Sequence, residues 1–394
     1  MRKILHYDME TELNNLNQRI TKTRGTLIEI HTADLHFGAM NPKVQYEILC
    51  EQLLNKIINV PFDIFSINGD IFDHKFMSNS DVIMYACMFI DKVVSLCRQK
   101  GATFFIIAGT ESHDAGQLKL FYHYLDDPTI DIRIVEEARF EYTKNAKILC
   151  IPELYNKGEE YYEDLLKDDC YDTVFMHGTY KGSIFQLNPK GLDSDREVTF
   201  KFDDFSLCKG PIISGHVHIQ GCFDGYVYYC GSPYRWQFGE EQAKGFLIVL
   251  HNLDTQEHYT HFEEIQSFRY DTINLDNMLI QDPKEVIKYI TELKNNGIDH
   301  IRVEFNNVNE DNLANFNIIN NYYKTTNTVK IKSSYSETQK VMKENSNILD
   351  QYSEYDYILD PNLQPTEIFC RYVNQQKGFE YITVDKLIEV LNEI

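Results

Sequence analysis

No stretch of the sequence stays apolar for anything near the roughly 20 residues that a membrane-crossing helix needs, which argues against a membrane span. The opening residues, MRKILHYDMETELNNLNQRI, begin with charge but have no apolar core of the kind a secretory leader carries, so the expectation is a cytoplasmic protein. Paired cysteines are missing as well. The 9 cysteines are scattered from Cys50 to Cys370 without one CxxC spacing, which fits neither a disulfide framework nor a thiolate zinc site. Reduced, mostly buried thiols are expected instead. Basic charge is scarce, with 38 Lys and Arg against 60 Asp and Glu and a net charge of −22. That balance argues against non-specific nucleic-acid binding by the whole surface and leaves room for a local basic track or a basic partner. Internal repeats and low-complexity tracts are absent too. A hydrophobic share of 43% with 25% charged residues excludes a disordered or fibrous chain, and 394 residues exceed one ordinary core, so more than one domain is expected.

What is present is a repeating pattern of short apolar run, polar loop and longer amphipathic stretch. The runs at 27–31, 64–67, 103–108, 147–151, 173–176 and 211–213 have the length and the β-branched or aromatic content of buried strands. Between the first two, Ile48, Leu49, Leu53, Leu54, Ile57 and Ile58 recur at helical spacing, and Ile83, Ala86, Ile90, Val93 and Val94 do so between the second and third. Such alternation predicts a layered α/β domain over 26–265, preceded by an extension at 1–25. After it the order changes to strand, helix, strand, helix, strand, which predicts a small appended α+β domain at 266–335. The remaining segment, 336–394, ends in an apolar stripe of Val384, Leu387, Ile388, Val390 and Leu391, as a helix that docks on a partner would.

The chemistry gathers at the ends of the strands. The first is followed by Asp34-Leu35-His36, the second by Gly69-Asp70-Ile71-Phe72-Asp73, and the third by Gly109-Thr110-Glu111-Ser112-His113-Asp114. The fifth leads into His177-Gly178 and the sixth into Gly215-His216-Val217-His218. Ligands of open α/β sheets bind outside the carboxyl ends of the strands, where all these groups would converge. Several carboxylates with several imidazoles and no thiolate suit hard or borderline divalent ions such as manganese, iron, zinc or magnesium. Asp70, on the central strand, is placed to bridge two ions about 3.5–4 Å apart, the spacing used for in-line phosphoryl displacement. His113 is the candidate general acid, with Asp114 next to it as orienting partner. Asp73 is expected to support a neighbouring ligand through a hydrogen bond.

This order of motifs resembles that of the calcineurin-like metallophosphoesterase family, over roughly residues 27 to 250. The resemblance implies a layered metallophosphoesterase sandwich in which Asp34, His36, Asp70 and His218 hold one metal, while Asp70, His177, His216 and an asparagine-equivalent position hold the other. The family places Asn directly after Gly and before His-Asp. Here Ser112 stands in that place with two extra residues before it, so the second ion would be weakly held, water-bridged or ligated by Glu111. The run Gly231-Ser232-Pro233-Tyr234-Arg235-Trp236-Gln237-Phe238-Gly239-Glu240, followed by Lys244-Gly245-Phe246, looks like a segment of SbcD-like nucleases. That likeness implies a two-metal DNA exonuclease or endonuclease of repair and recombination, with manganese as the first-choice ion. It also implies a DNA-capping domain, an SbcC-like SMC-type ATPase partner, and a homodimer within a heterotetramer. The alternatives are a nucleotide phosphodiesterase or phosphatase with the same chemistry, and a catalytically weak DNA-tethering or ATPase-regulating subunit. Lys324, Lys330 and Lys332, with Lys340 and Lys343 beyond them, are the candidate track for a phosphate backbone.

Overall fold

A computed structural model of the chain describes residues 25–335, apart from 115, 144, 156, 168, 182, 184–197, 276–281 and 309–311, together with 363, 367–370, 374 and 383. Residues 1–24 of the expected N-terminal extension, the C-terminal docking stripe, and Lys340 and Lys343 lie outside these residues. The chain divides into two compact units, Met1–Asp271 and Thr272–Ile394. Both are mixed α/β, and no helix among the described residues is long and apolar enough to cross a membrane.

In the first unit the strands run β1 (Thr26–Thr32), β2 (Ile64–Asn68), β3 (Thr103–Ile107), β4 (Asp131–Val135), β5 (Arg139–Tyr142), β6 (Lys147–Ile151), β7 (Thr173–His177), β8 (Thr179–Tyr180), β9 (Thr199–Phe200), β10 (Ile212–Gly215), β11 (Gly221–Phe223), β12 (Val227–Tyr229), β13 (Gly245–Asn252) and β14 (His258–Glu264). They form two six-stranded sheets, in the orders β14-β13-β1-β2-β3-β4 and β11-β12-β10-β7-β6-β5, and a small β8-β9 pair. From β1 to β4 the pairing is parallel, as it is from β6 through β7 and β10 to β12. Antiparallel β13 joins β1 at one side of the first sheet.

Both faces of each sheet are covered, which is why the strands read as continuous apolar runs rather than alternating ones. On β3, Phe105 and Ile107 share one core with Phe175 of β7 and Ile213 of β10, while Phe104 and Ile106 turn the other way into a second core. That second core is closed by α1 (Pro42–Ile48), which continues through wider π turns at Leu49–Leu54, and by α2 (Asp81–Lys100). The α2 helix starts where the Ser80 side chain accepts a hydrogen bond from the Ile83 N–H, and it stops at Gly101, whose φ of 65° ends the helix without a Cβ clash. Its buried stripe of Ile83, Ala86, Phe89, Ile90, Val93, Val94 and Cys97 packs on the sheet, at about 1.5–3 kcal/mol for each large side chain removed from water. A third core lies on the far face of the second sheet, where Val174, Met176 and Ile212 meet Tyr162 of α4 (Glu159–Leu166); the short α3 (Glu111–Asp114) precedes it in the chain.

The second unit has β15 (Tyr270–Leu275), α5 (Pro283–Asn295), β16 (His300–Val308), α6 (Leu313–Tyr323) and β17 (Val329–Tyr335), with sheet order β15-β16-β17 and β16 parallel to β17. Val286, Ile290, Val303, Phe305, Phe316 and Ile319 form its core. Lys324, Lys330 and Lys332 are exposed; in register, Lys330 sits beside Arg302 and Lys332 beside Glu304.

Candidate metal centre

The site lies where the parallel strands of the first unit end, and its backbone is strained there. Of the six non-glycine residues with positive φ among the described residues, four are predicted ligands: Asp34 (52°), His36 (43°), Asp70 (54°) and His216 (84°). Such conformations cost of order 1–3 kcal/mol each and persist where the surroundings over-determine them. The surroundings here are two loops that go on pairing after their strands stop: Asp34 N donates to Gly69 O at 3.0 Å, His36 N to Asp70 O at 3.0 Å and Phe37 N to Ile71 O at 2.8 Å. Glycine is required behind them. A Cβ on Gly69, whose φ is 89°, would lie 2.0 Å from His177 Nδ1, and one on Gly109 would lie 2.2 Å from Asp70 Oδ1.

The predicted donors, joined by Glu153, converge into adjoining groups, within each of which the candidate donor atoms lie no more than 4.8 Å apart: Asp34, His36 and His218; Asp34, Asp70 and His177; Glu153, His177 and His216. His36 Nε2 and His218 Nε2 are 3.1 Å apart, and His218 Nε2 is 3.9 Å from Asp34 Oδ1. Asp70 joins the two ends of the centre. Its Oδ2 is 3.6 Å from His36 Nε2 and 3.3 Å from His177 Nε2, while its Oδ1 accepts the Thr110 N–H at 2.7 Å. His177 Nε2 is also 3.5 Å from Glu153 Oε2, and His216 Nδ1 is 3.2 Å from that oxygen.

These donors fit divalent cations. Asp34 Oδ2 and His177 Nε2 are buried with no hydrogen-bond partner among the described residues, an expensive arrangement unless something else takes their lone pairs. The other nitrogen of His177, Nδ1, donates to the Asn68 carbonyl at 2.7 Å, which leaves Nε2 as the atom that faces inward. The electrostatics agree. Burial alone would push the Asp70 carboxyl up, but its interaction with His177, then with His36 and His113, holds it well below the usual carboxylate range. Burial disfavours charge on His177, yet Asp70 first and then Asp34 and Glu153 raise it well above an ordinary histidine. His36 is raised in the same way, against burial, by Asp73, Asp70 and Asp34. The carboxylates of the centre thus draw positive charge towards its imidazoles, a charge that a bound cation would supply.

Three residues stand differently from the sequence-based expectation. Ser112 and Glu111 are exposed on α3, so neither takes the asparagine-equivalent role expected of them. The helical turn carries both outward, while Thr110, directly after Gly109, faces inward: its Oγ1 donates to Glu153 Oε2 at 2.8 Å and lies 3.3 Å from Asp70 Oδ2. Glu153, which the sequence reading missed, is the carboxylate that could serve as a donor in that part of the centre. Asp114 does not orient His113. Its carboxylate accepts the N–H groups of Ile71 at 3.0 Å, Phe72 at 3.3 Å and Gly109 at 2.8 Å, tying the two loops together, and burial followed by the charge of Asp70 pushes it up. His113 instead donates through Nδ1 to the main-chain oxygen of Asp73, which leaves Nε2 free to act, and its ring lies 4.7 Å from that of His36. Asp73 Oδ1 is 3.5 Å from His36 Nδ1, and His36 pulls the Asp73 carboxyl down to about 2. His31 is fully buried and bonded to Glu29 and Ser66, a structural role.

Glu153→Gln keeps the size of the side chain and an oxygen for the Thr110 hydroxyl, but removes the charge. Loss of an outer-shell partner alone costs about 10–100-fold in metal affinity. The variant is therefore expected to bind the cation at His177 and His216 at least that much more weakly, with the one at Asp34, His36 and His218 little changed. Manganese titration of metal-free protein, followed by electron paramagnetic resonance, checks this, and two unchanged affinities would remove Glu153 from the centre.

No family model matches the chain, and no curated protein matches it. Among solved structures, two of a cold-active protein tyrosine phosphatase match at 12% identity with TM-scores of 0.28 and 0.27, covering 59% and 61% of this chain and 80% of the phosphatase chain in each case. A further solved chain matches with a TM-score of 0.38 at 12% identity, covering 61% of this chain and 100% of its own. At such TM-scores these likenesses carry no argument about activity.

Proposed function

We propose that the chain hydrolyses phosphodiester bonds with two divalent cations, as a metallophosphoesterase of the calcineurin-like kind, and that its substrate is DNA, as in SbcD-like nucleases. The observation that carries this reading is the position of Asp70, whose one carboxylate lies within reach of His36 on one side and His177 on the other. Asp34, His36 and His218 would hold one ion, Glu153, His177 and His216 the other, and Asp70 both. Manganese is the first choice, with magnesium, iron or zinc as alternatives. When bound, such ions neutralise phosphate oxygens and lower the pKa of an attacking water.

The chain's own residues supply the rest. Asp114 holds the loops of Asp70 and Gly109 in place through its three backbone bonds. His113, with Nδ1 committed to Asp73, hands the proton on Nε2 to the leaving oxygen. The SbcC-like ATPase and the homodimer belong to the same reading, supported by the likeness of the segment around Gly231–Glu240.

Purified protein with manganese is expected to cut linear duplex or single-stranded DNA, to stop in excess chelator, and to act on DNA ahead of small aryl esters. No cleavage above the chelated control would overturn the reading. A preference for small esters would replace the nuclease with a nucleotide phosphodiesterase or phosphatase.

A further inference from the structure

We infer that Trp236 is a nucleobase-stacking platform at the rim of the metal centre, so that the substrate is engaged through an unpaired base next to the phosphate being cut. This rests on the reading of the site as a nucleic-acid phosphodiesterase and adds to it how the nucleoside is held. Trp236 is the sole tryptophan of the chain. Its indole is partly exposed and lies with its ring centroid 5.1 Å from that of His36 and 5.1 Å from that of His218, two donors of one cation.

The loop that carries Trp236 is held with unusual firmness. Glu240 accepts the Trp236 N–H at 2.9 Å and the Gln237 N–H at 3.2 Å through Oε2, and its Oε1 meets Lys244 Nζ at 3.1 Å. Lys244 is itself buried and donates to Ser232 Oγ at 2.7 Å and to the carbonyl of His218 at 2.8 Å, so the loop and the ligand share one anchor. Arg235 is pinned to the carbonyls of Glu240 at 2.9 Å and Gln242 at 2.6 Å. Burying a lysine and a glutamate together is weak evidence of stability for its own sake. Here the pair fixes the angle of a large flat side chain that is partly exposed, with Lys244 Nζ 5.9 Å from its ring centroid. A rigid aromatic face next to a phosphate-binding centre suits a base, because every base has a π-face and stacking needs no particular sequence.

The test uses the full chain with manganese and a short single strand that has one cleavable linkage, flanked either by thymine or by an abasic sugar. The thymine strand is expected to show a KM about 5–100-fold lower than the abasic strand, the size of one stacked base. Trp236→Ala should erase that difference while still binding two ions, and Trp236→Phe should keep most of it. If the difference survives in Trp236→Ala, or if that variant loses an ion, the platform is wrong and the indole serves only to pack the histidines. If neither strand is cut at all, the nuclease reading fails on its own. The platform is then decided by binding in calcium, where the thymine strand must quench the single indole and the abasic strand must not.

Discussion

Asp70→Asn protein is expected to bind at most one cation where the parent binds two, and to lose phosphodiester hydrolysis by about 1,000-fold or more. The substitution is nearly isosteric. Its side-chain oxygen can still accept the Thr110 N–H that Asp70 Oδ1 accepts at 2.7 Å, so the loop has no reason to collapse. What disappears is the charge between His36 and His177, at 3.6 and 3.3 Å from their Nε2 atoms. Charge stabilisation by a bound ion is worth several kcal/mol of transition state, and each 1.36 kcal/mol is roughly tenfold in rate. A second readout needs no turnover. Ligand at about 100 times its dissociation constant stabilises the native state by roughly 2.7 kcal/mol, which for a unit of this size raises Tm by about 5–10 °C. The parent should show that shift with manganese and Asp70→Asn should show little of it. A variant that keeps two ions and the full shift would mean that Asp70 bridges nothing.

How much of this was legible in the sequence depends on which physical signal each element leaves. Helix Pro283–Asn295 is the first helix of the strand, helix, strand, helix, strand order expected over 266–335, and it was legible because Asp282 caps it, proline opens it and Val286 and Ile290 repeat at helical period. Strand β6 is recovered with the same bounds, and the other five runs shift by a residue or two. The run at Gly245–Asn252, buried along its whole length, is as apolar as any of them, yet it escapes a reading keyed to strand, loop and helix in alternation. It pairs antiparallel to β1 over more than 200 positions of separation, and only the fold supplies that partner.

The site divides along the same line. Asp34, His36, Asp70, His177, His216 and His218 announce themselves because each follows an apolar run within a few residues, and geometry then does what sequence distance hides. Glu153 obeys the same rule less visibly: it follows the Lys147–Ile151 strand, but Pro152 stands between them and no histidine accompanies it. Ser112 was misplaced for a local reason. The short helix Glu111–Asp114 begins right after Thr110, so two positions separate a side chain that touches Asp70 from one that faces water. Motif spacing does not report such a turn.

The second large effect is expected at His113. His113→Ala should lower kcat by about 100- to 10,000-fold, the range of a positioned general acid, while leaving two cations bound and KM nearly unchanged. The argument is geometric. Its Nδ1 is spent on the Asp73 carbonyl, and its ring stands edge-on to His36 at 4.7 Å, beside a candidate cation-binding group. A leaving alkoxide from a nucleoside is strongly basic and needs a proton as the bond breaks, whereas a nitrophenolate can leave without one. The loss in His113→Ala should therefore be much larger on a nucleic-acid linkage than on a nitrophenyl ester measured with the same preparation. Equal losses on both would show that His113 acts through binding or through the placement of His36, and the proton would have to come from elsewhere. Asp73 offers the internal control: Asp73→Asn keeps the main-chain oxygen that holds His113, so it should spare the leaving-group contrast while loosening His36, whose Nδ1 lies 3.5 Å from the carboxylate it removes.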